Sequence, residues 1–301
     1  MRNTFINELT KHTEVRKNIY LVVGDLGFSV IENFQELFPE NFFNAGIAEQ
    51  NMTGLAAGMA SEGCHVFTYS IANFPTFRCA EQIRNDVDYH NLPVTVVAVG
   101  GGVAYGPLGY SHHAIQDYAL MRTMPNMLIA SPGDPIETKA CLNYLLNNPQ
   151  PSYLRLGKNG EENFNSHIVE LYPGNWNLVK KSTNPQNNKA IVSTGAVLSR
   201  SMKVNEILNY DVYSLPLWGM KQKDAQLEYI SKYDTVITIE DHLIDGGFGS
   251  WMLESAANNP NQRSKIKSFG LSCSKLNIFN WSTTSVLLKV NVSIDILVSG
   301  L

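Results

Sequence analysis

The sequence has little of what a metal centre or a disulfide framework requires. It contains four cysteines, Cys64, Cys79, Cys141 and Cys273, and none of them stands in a C-x-x-C or C-x-x-H spacing. Structural zinc sites and small disulfide-bonded domains both depend on closely spaced or paired cysteines. We therefore expect no disulfide frame and no metal site built from this chain alone.

An excess of one charge and long apolar runs are also absent. Lys and Arg number 23 against 27 Asp and Glu, the net charge is −4, and the basic residues are not clustered. Proteins that bind nucleic acid usually carry a basic surface, so no nucleic-acid partner is expected. The first residues lack the apolar core of a signal peptide, and no stretch approaches the length of a membrane span. These absences predict a cytoplasmic protein with no membrane partner.

The sequence does have a regular alternation of apolar runs and helical patterns. Its 301 residues leave room for about two domains of roughly 100–200 residues each. Strands are predicted at 19–23, 42–45, 65–70, 94–100, 127–131 and 153–156, and helices at 2–16, 50–61, 77–89, 115–124 and 135–146. This order predicts an α/β fold with a mostly parallel sheet, in which ligands bind beyond the carboxyl ends of the strands.

The composition changes after this first series. From 158 to 187 the chain is rich in Asn, Gly, Ser and Pro, and a hairpin is expected at 171–181. A second series then follows, with strands at 190–193, 212–215, 235–239 and 266–269, helices at 198–208 and 225–232, and a helix opened by G-G-F-G at 246–249. We predict a first domain at 1–160, a linker at 161–187 and a smaller α/β domain at 188–301.

One carboxylate stands out at the predicted ligand edge. The stretch 44–58 reads N-A-G-I-A-E-Q-N-M-T-G-L-A-A-G, and it places Glu49 at the start of a helix rich in small residues. The helix dipole favours an acidic residue in a first turn whatever its function. Glycine and alanine there also serve close packing. On this stretch alone, a capping role and a functional role for Glu49 both remain open.

Several collinear segments resemble the C-terminal half of transketolase, its pyrimidine-binding domain followed by its C-terminal domain. They are G-D-L-G-F-S at 24–29, N-A-G-I-A-E-Q-N at 44–51, F-P-T-F-R-C-A-E-Q-I-R-N at 74–85, G-Y-S-H-H-A-I-Q-D-Y-A-L-M-R-T-M-P-N-M at 109–127, Y-L-R at 153–155 and I-E-D-H-L-I-D-G-G-F-G-S at 239–250. The resemblance covers nearly the whole chain. It implies a subunit of a thiamine-diphosphate-dependent transferase that moves a two-carbon ketol unit between sugar or sugar-phosphate substrates.

The resemblance also implies a partner. The G-D-G pattern with a downstream Asn, which holds the metal and the diphosphate in thiamine enzymes, is missing here, and G-D-L-G at 24–27 is not that motif. A separate subunit of the N-terminal transketolase type would then carry the diphosphate site with its Mg²⁺ or Ca²⁺. The expected assembly of this split enzyme is α2β2.

The resemblance assigns the cofactor end of the site. Glu49 matches the acid that hydrogen-bonds the aminopyrimidine N1′, and burial of a carboxylate favours its holding a proton. Phe74 matches the aromatic residue that stacks on the pyrimidine ring, with Phe77 and Ile71 at the two flanking positions and an aliphatic side chain where an aromatic one is usual. Asp25, which follows the first strand at the same edge, is placed with the cofactor-binding residues.

His112 matches the histidine that faces the reacting carbon and its oxygen. An imidazole there can donate a hydrogen bond to a developing alkoxide. The neighbouring His113 is the alternative, because either histidine of S-H-H could instead be a structural side chain.

The substrate end resembles the family less. Arg2, Ser29 and Arg155 match positions that hold a sugar phosphate, but Gly100 stands where a histidine is usual. The turn at 105–108 has no carboxylate at the position where the family binds a hydroxyl group of the donor substrate. The donor substrate is therefore expected to differ from the usual ketose phosphate.

Three alternatives remain open. Two are enzymes with the same domain pair, a deoxyxylulose-phosphate-synthase-like protein and a 2-oxoacid dehydrogenase beta-type subunit. The third is a partner subunit that has kept the fold and lost the chemistry, since fold alone does not fix function.

Overall fold

The computed structural model describes residues 1–167 and 169–272, and these form two β-sheets with helices packed on both. The predicted α/β fold class is confirmed. Residues 273–301, which include Cys273 and the end of the predicted second domain, lie outside the described residues.

In this described part, the first sheet has seven strands in the order β10-β5-β6-β4-β3-β1-β2. Its strands are β1 (Ile19–Val23), β2 (Phe42–Asn44), β3 (His65–Ile71), β4 (Val94–Val99), β5 (Leu128–Ala130), β6 (Ser152–Leu156) and β10 (Leu217–Gly219). All pairs are parallel except β10 with β5. The central strands β3 and β4 are buried almost throughout, as expected when helices cover both faces of a parallel sheet.

The helices of the first domain follow the sequence pattern closely. They are α1 (Arg2–Val15), α2 (Glu32–Leu37), α3 (Glu49–Ser61), α4 (Phe74–Phe77), α5 (Ala80–Gln82), α6 (Asp117–Met121) and α7 (Pro135–Asn147). Local capping explains where α7 begins, because the Asp134 side chain accepts a hydrogen bond from the Glu137 backbone N–H at 2.7 Å. Pro135 takes the first helical position, where a missing N–H costs nothing.

The second sheet has five strands within the described residues, in the order β12-β11-β8-β9-β7. They are β7 (Asn177–Lys180), β8 (Lys189–Ser193), β9 (Asp211–Ser214), β11 (Thr235–Leu243) and β12 (Ile266–Leu271). The helices α8 (Leu198–Leu208), α9 (Gln226–Ser231), α10 (Phe248–Ser255) and α11 (Pro260–Arg263) accompany it. Of these five strands, only β7 runs antiparallel to its neighbour, β9.

Three features differ from the sequence prediction. The predicted helix at 77–89 is divided into α4, α5 and a π-helix at Ile83–Asp88. The expected hairpin at 171–181 is a single strand, β7, which pairs with β9 instead of with a strand of its own. The strand β10 was not predicted, and it leaves the predicted second domain to complete the edge of the first sheet. The predicted division into domains therefore does not separate the two sheets.

No helix among residues 1–167 and 169–272 has both the length and the apolar character needed to cross a membrane.

Candidate functional site

The carboxyl ends of β1, β2, β3 and β4 lie at one edge of the first sheet, and the predicted cofactor residues follow them. Glu49 begins α3, and its side chain is buried, with 3% of the residue exposed. Gly24 at the end of β1 lies directly against it, because a Cβ on Gly24 would be 3.5 Å from the Glu49 Cγ. The small residue therefore lets the first strand approach the carboxylate.

An arginine connects Glu49 with Phe74. Arg78, the residue after α4, donates a hydrogen bond from Nη1 to Glu49 Oε2 at 3.0 Å. Its Cζ lies 4.3 Å from the centroid of the Phe74 ring, which is the distance of a cation–π contact. A buried carboxylate needs a partner, and in this structure Arg78 is that partner.

His112 continues this row of contacts. The centroids of its ring and of the Phe74 ring are 5.1 Å apart, with an edge-to-face angle of 69°. The Asn73 side chain donates to the Ser111 carbonyl at 2.9 Å, and the Ser111 hydroxyl lies 3.0 Å from His112 Nδ1. The structure therefore connects Glu49, Phe74 and His112 in one series of side-chain contacts, in which Arg78 lies between the first two.

The two neighbouring histidines have different surroundings. His112 is partly exposed beside Phe74, whereas His113 is buried, with its Nε2 3.3 Å from the Gly106 carbonyl oxygen. Burial lowers the pKa of His113 below its usual value. Of the pair, His112 is the one that borders the site.

The remaining cofactor candidates lie around this row. Ile71 is the last residue of β3 and is half-buried, and Phe77 is exposed at the end of α4. Asp25 lies on the turn after β1 in a left-handed conformation, with φ of 53°. Its carboxylate accepts a hydrogen bond from the Asn44 side chain at 2.9 Å, which ties the ends of β1 and β2 together.

The three predicted phosphate residues do not form one group. Arg155 is 3% exposed, and its guanidinium donates to Asp117 and Asp241 at 2.6 Å each. It also donates to the Tyr118 hydroxyl and the Ala114 carbonyl. Arg155 thus acts as an ion-pair centre between the two sheets, and its guanidinium is already engaged inside the protein instead of facing a substrate.

Arg2 and Ser29 are both accessible. Arg2 is half-buried at the start of α1. Ser29 is exposed on the turn before α2, where its N–H donates to Glu32 at 2.6 Å.

At each of the three consecutive glycines at 100–102, a side chain from elsewhere in the chain packs into the space that a Cβ of the glycine would need. A Cβ on Gly100 would overlap the Tyr105 ring, and one on Gly101 would overlap the Arg155 guanidinium. A Cβ on Gly102 would be 2.5 Å from an Asp241 carboxylate oxygen. Close packing explains this run, and Tyr105 fills the space above Gly100.

A cavity of about 320 Å³ lies next to these glycines. Lys158 lines it, and its Nζ is 4.9 Å from the centroid of the Tyr105 ring. Arg200 of α8 and Asp241 of β11 line it as well. Lys158, and not Arg155, is therefore the cation of the 153–158 segment that reaches open space.

A second cavity of about 490 Å³ lies at the start of α3. Glu49 and Arg78 line it together with the exposed residues Ile47, Ala48, Gln50 and Asn51. Through this cavity, the contact between Glu49 and Arg78 is open to solvent.

An acidic side chain of the same chain lies at the helix start at 246–249. Glu240 is buried and accepts hydrogen bonds from the backbone N–H groups of Phe248 and Gly249, at 2.6 and 2.9 Å. Burial raises the pKa of Glu240 to about 8. The G-G-F-G segment thus binds a carboxylate of the same chain and serves packing.

Metal ligands do not gather in the described part of the chain. Among residues 1–167 and 169–272, no three His, Cys, Asp or Glu side chains are grouped so as to hold a metal ion.

Known proteins resemble this chain over most of its length. Residues 1–160 match the family model described as transketolase, pyrimidine binding domain. A Methanocaldococcus jannaschii protein described as a putative transketolase C-terminal section is 34% identical over 267 residues, covering 86% of this chain and 82% of that protein. An apulose-4-phosphate transketolase subunit of Phocaeicola vulgatus is 30% identical over 266 residues, covering 86% of this chain and 84% of that protein.

A solved structure shares the whole architecture. It is described as a split gene transketolase in an inactive beta4 tetramer, and it matches with a TM-score of 0.82 at 28% identity. The match covers 98% of this chain and 96% of that one.

Sequence reasoning missed Arg78 and Lys158 as residues that line the two cavities, and it missed the contact of Lys158 with Tyr105. Arg78 had a usable signal, because it follows Phe74 by four residues, the spacing that places two side chains on one face of a helix. Tyr105 and Lys158 had none, since their proximity depends on the packing of β4 and β6.

Proposed function

This chain belongs to the transketolase family, and from that premise we propose that it is the pyrimidine-binding subunit of a two-chain, thiamine-diphosphate-dependent ketol transferase. A separate subunit would complete each active site. The observation that carries the proposal is the contiguous row formed by Glu49, Phe74 and His112 at the carboxyl edge of the parallel sheet. Ligands of open α/β sheets bind at this edge.

The residues present fit an aminopyrimidine ring. Glu49 is a buried carboxylate whose present partner is the half-exposed Arg78, and the cavity of about 490 Å³ opens beside it. Phe74 offers a ring face in contact with the same guanidinium. A flat, hydrogen-bonding heterocycle needs such a pair, an acid at its edge and an aromatic side chain at its face.

Each of the three side chains then has a distinct task. Bound thiamine diphosphate supplies a nucleophilic carbon that carries the two-carbon unit. The buried Glu49 would hydrogen-bond the ring nitrogen N1′ as the acid–base partner of the ring. Phe74 supports the ring, and His112 donates a hydrogen bond to the oxygen on the reacting carbon of the substrate.

Three observations support the need for a partner subunit. The chain lacks the G-D-G…N pattern for the metal and diphosphate, so Mg²⁺ or Ca²⁺ would be held by the other subunit. Large apolar side chains stand exposed after four strands of this edge, namely Phe28 (72%), Ile47 (79%), Phe77 (47%) and Leu108 (55%). Exposed apolar groups of this kind mark interaction surfaces. The similar split gene transketolase is described as inactive when it forms a beta4 tetramer, and we propose α2β2 for the active assembly.

The substrate class we propose is a sugar phosphate. The relative from Phocaeicola vulgatus is described as an apulose-4-phosphate transketolase, and Arg2 and Lys158 offer cations near Tyr105 in this chain. Of these two cations, Lys158 is the one in contact with the Tyr105 ring, and an ammonium group can pair with phosphate oxygens. The proposed setting is the cytoplasm, which agrees with free thiols at Cys64, Cys79 and Cys141.

Reconstitution tests the proposed function. The purified chain is mixed with a diphosphate-binding chain from the same genome, and thiamine diphosphate binding is measured by calorimetry with and without Mg²⁺. We expect tight, Mg²⁺-dependent binding by the mixture and weak binding by each chain alone. Tight binding by this chain alone without Mg²⁺ would refute the shared site.

A donor screen tests the reaction. Hydroxypyruvate, pyruvate and ketose phosphates are supplied to the mixture, and the products are identified. Transfer of a two-carbon ketol unit supports the proposal, release of carbon dioxide from pyruvate supports the synthase or dehydrogenase alternatives, and no turnover with any donor supports a non-catalytic subunit.

A further inference from the structure

Arg78 occupies the two contacts that the proposed cofactor ring would use. Its Nη1 donates to Glu49 Oε2 at 3.0 Å, and its Cζ lies 4.3 Å from the Phe74 ring centroid. Among residues 1–167 and 169–272, the guanidinium makes no other hydrogen bond. It is held only by the acid and the aromatic side chain of the site.

We propose that Arg78 is an internal competitor for the aminopyrimidine site: its guanidinium fills the space between Glu49 and Phe74 in the free chain and must leave before the ring binds. The proposal rests on the proposed function, since it concerns the same site. It assigns a role to a residue that takes no part in the reaction itself.

Shape and hydrogen bonding support this competition. A guanidinium is flat and delocalised, donates N–H groups along its edge and stacks on aromatic faces. An aminopyrimidine stacked on Phe74 would present the same flat face, and its N1′ would accept a hydrogen bond from the carboxylic acid form of Glu49 in place of the bond that the guanidinium donates to the carboxylate. Because the guanidinium lies against Phe74 while bonded to Glu49, both ligands cannot use that face and that carboxylate at once.

Burial and exposure make the exchange feasible. The Glu49 side chain is 3% exposed, whereas the Arg78 side chain is 50% exposed. Water reaches the arginine side of this ion pair and partly screens it, so a ligand can compete with Arg78 for the carboxylate. The buried carboxylate, however, cannot remain both charged and unpaired. Departure of Arg78 therefore requires that Glu49 gain a proton or another donor, which is the state the proposed chemistry needs.

The free chain gains from this arrangement before its partner arrives. Without Arg78, the buried carboxylate of Glu49 would have no counter-charge in the free chain. Arg78 neutralises Glu49 and covers Phe74, and it gives way when the ring is held by both subunits. The strength of the contacts that Arg78 makes with Glu49 and Phe74 then sets the affinity of the free chain for the ring.

Binding of a neutral ring to the free chain tests the proposal. The probe is 4-amino-5-hydroxymethyl-2-methylpyrimidine, the ring half of the cofactor, which carries no diphosphate and needs no metal. Its dissociation constant is measured by ligand-observed NMR for wild type, Arg78→Ala and Arg84→Ala. Arg84 is an arginine on the following π-helix whose Nη1 bonds Asn85, so its removal changes the charge equally without touching Glu49 or Phe74.

We expect Arg78→Ala to bind the ring at least about fivefold more tightly than wild type, and Arg84→Ala to bind it as wild type does. Arg78→Gln, which is uncharged and nearly as long, repeats the test if Arg78→Ala does not fold. Equal or weaker binding by the folded Arg78 variant overturns the proposal, and so does failure of every variant to bind the ring. The proposed function is judged separately, because it stands or falls with cofactor binding by the mixed subunits.

Discussion

At the scale of single residues, the sequence singles out Glu49, Phe74 and His112 as candidates, because each belongs to a short segment with a fixed neighbour pattern. Their proximity came from the fold, which ends β2, β3 and β4 at one edge. Arg155 shows the limit of such reasoning. Its position in Y-L-R places it on a strand that is buried at every residue, and burial decides that it pairs with Asp117 and Asp241 instead of with a substrate.

The two histidines of S-H-H give a prediction at this scale. His112→Ala in the reconstituted enzyme should lower kcat by about 10²–10³-fold, the usual cost of losing one donor to a developing oxyanion. Binding of thiamine diphosphate should change little, because His112 touches only the edge of Phe74. Steady-state kinetics and calorimetry together check both expectations.

His113→Gln is the matched control. Its side chain is buried near the Gly106 carbonyl, so this change should lower the thermal stability of the chain more than it lowers kcat. A His113 variant that loses turnover while His112→Ala keeps it would reverse the assignment of the two residues.

At the scale of elements, the alternation of strands and helices predicted the parallel sheet. Few other folds can bury continuous apolar strands that are each followed by an amphipathic helix. The sequence did not reveal β10, since L-W-G is too short to show a period and pairs with β5 from a distant part of the chain. Nor did it reveal why three glycines follow β4. A glycine-rich stretch at a strand end is usually interpreted as a ligand-binding loop. The packing shows instead that Tyr105, Arg155 and Asp241 each fill the space beside one of the three glycines.

The glycine after Gly100 gives a prediction about stability. Gly101→Ala should destabilise the chain by about 1–3 kcal/mol, because the added Cβ overlaps a buried guanidinium whose neighbours cannot move freely. Urea unfolding of the isolated chain measures the change in the free energy of unfolding.

Gly58→Ala is the control for this experiment. Gly58 lies in α3 with open space around its Cα, and alanine is favoured there by about 0.5–1 kcal/mol through helix propensity. If Gly101→Ala proves as stable as Gly58→Ala, the conclusion that the Arg155 guanidinium packs closely on Gly101 is contradicted.

At the scale of the whole molecule, the sequence indicated two α/β units, but it placed their boundary where a composition changed. The structure joins the units more closely. Strand β10 completes the first sheet, and Arg155 of β6 is paired with Asp241 of β11 at 2.6 Å. Contacts between elements far apart in sequence leave no local pattern, so they could not be predicted.

A buried histidine at the start of β3 predicts how the stability of the molecule depends on pH. Burial lowers the pKa of His65 to about 4, from an ordinary value of 6.5. Between these values the unfolded chain binds the proton and the folded chain does not, so stability falls as the pH falls. From about pH 7.5 to about pH 5 the expected loss is about 2 kcal/mol from this group.

Urea unfolding of wild type and His65→Gln at both pH values measures this contribution. The variant should lose about 2 kcal/mol less than wild type on acidification, whereas His90→Gln, at an exposed position, should behave as wild type does. Equal losses in wild type and His65→Gln would show that His65 titrates alike in the folded and unfolded states.

The most direct test of the central claim, that Glu49 is the proton partner of a cofactor shared with another subunit, is the rate of deuterium exchange at C2 of thiamine diphosphate. The rate is measured by quenching and proton NMR in the reconstituted enzyme at saturating cofactor, for wild type, Glu49→Gln and the exposed neighbour variant Gln50→Ala. Exchange should be at least about 10²-fold slower with Glu49→Gln, the usual contribution of a positioned acid or base, and unchanged with Gln50→Ala. Exchange by Glu49→Gln within about twofold of wild type would contradict the claim.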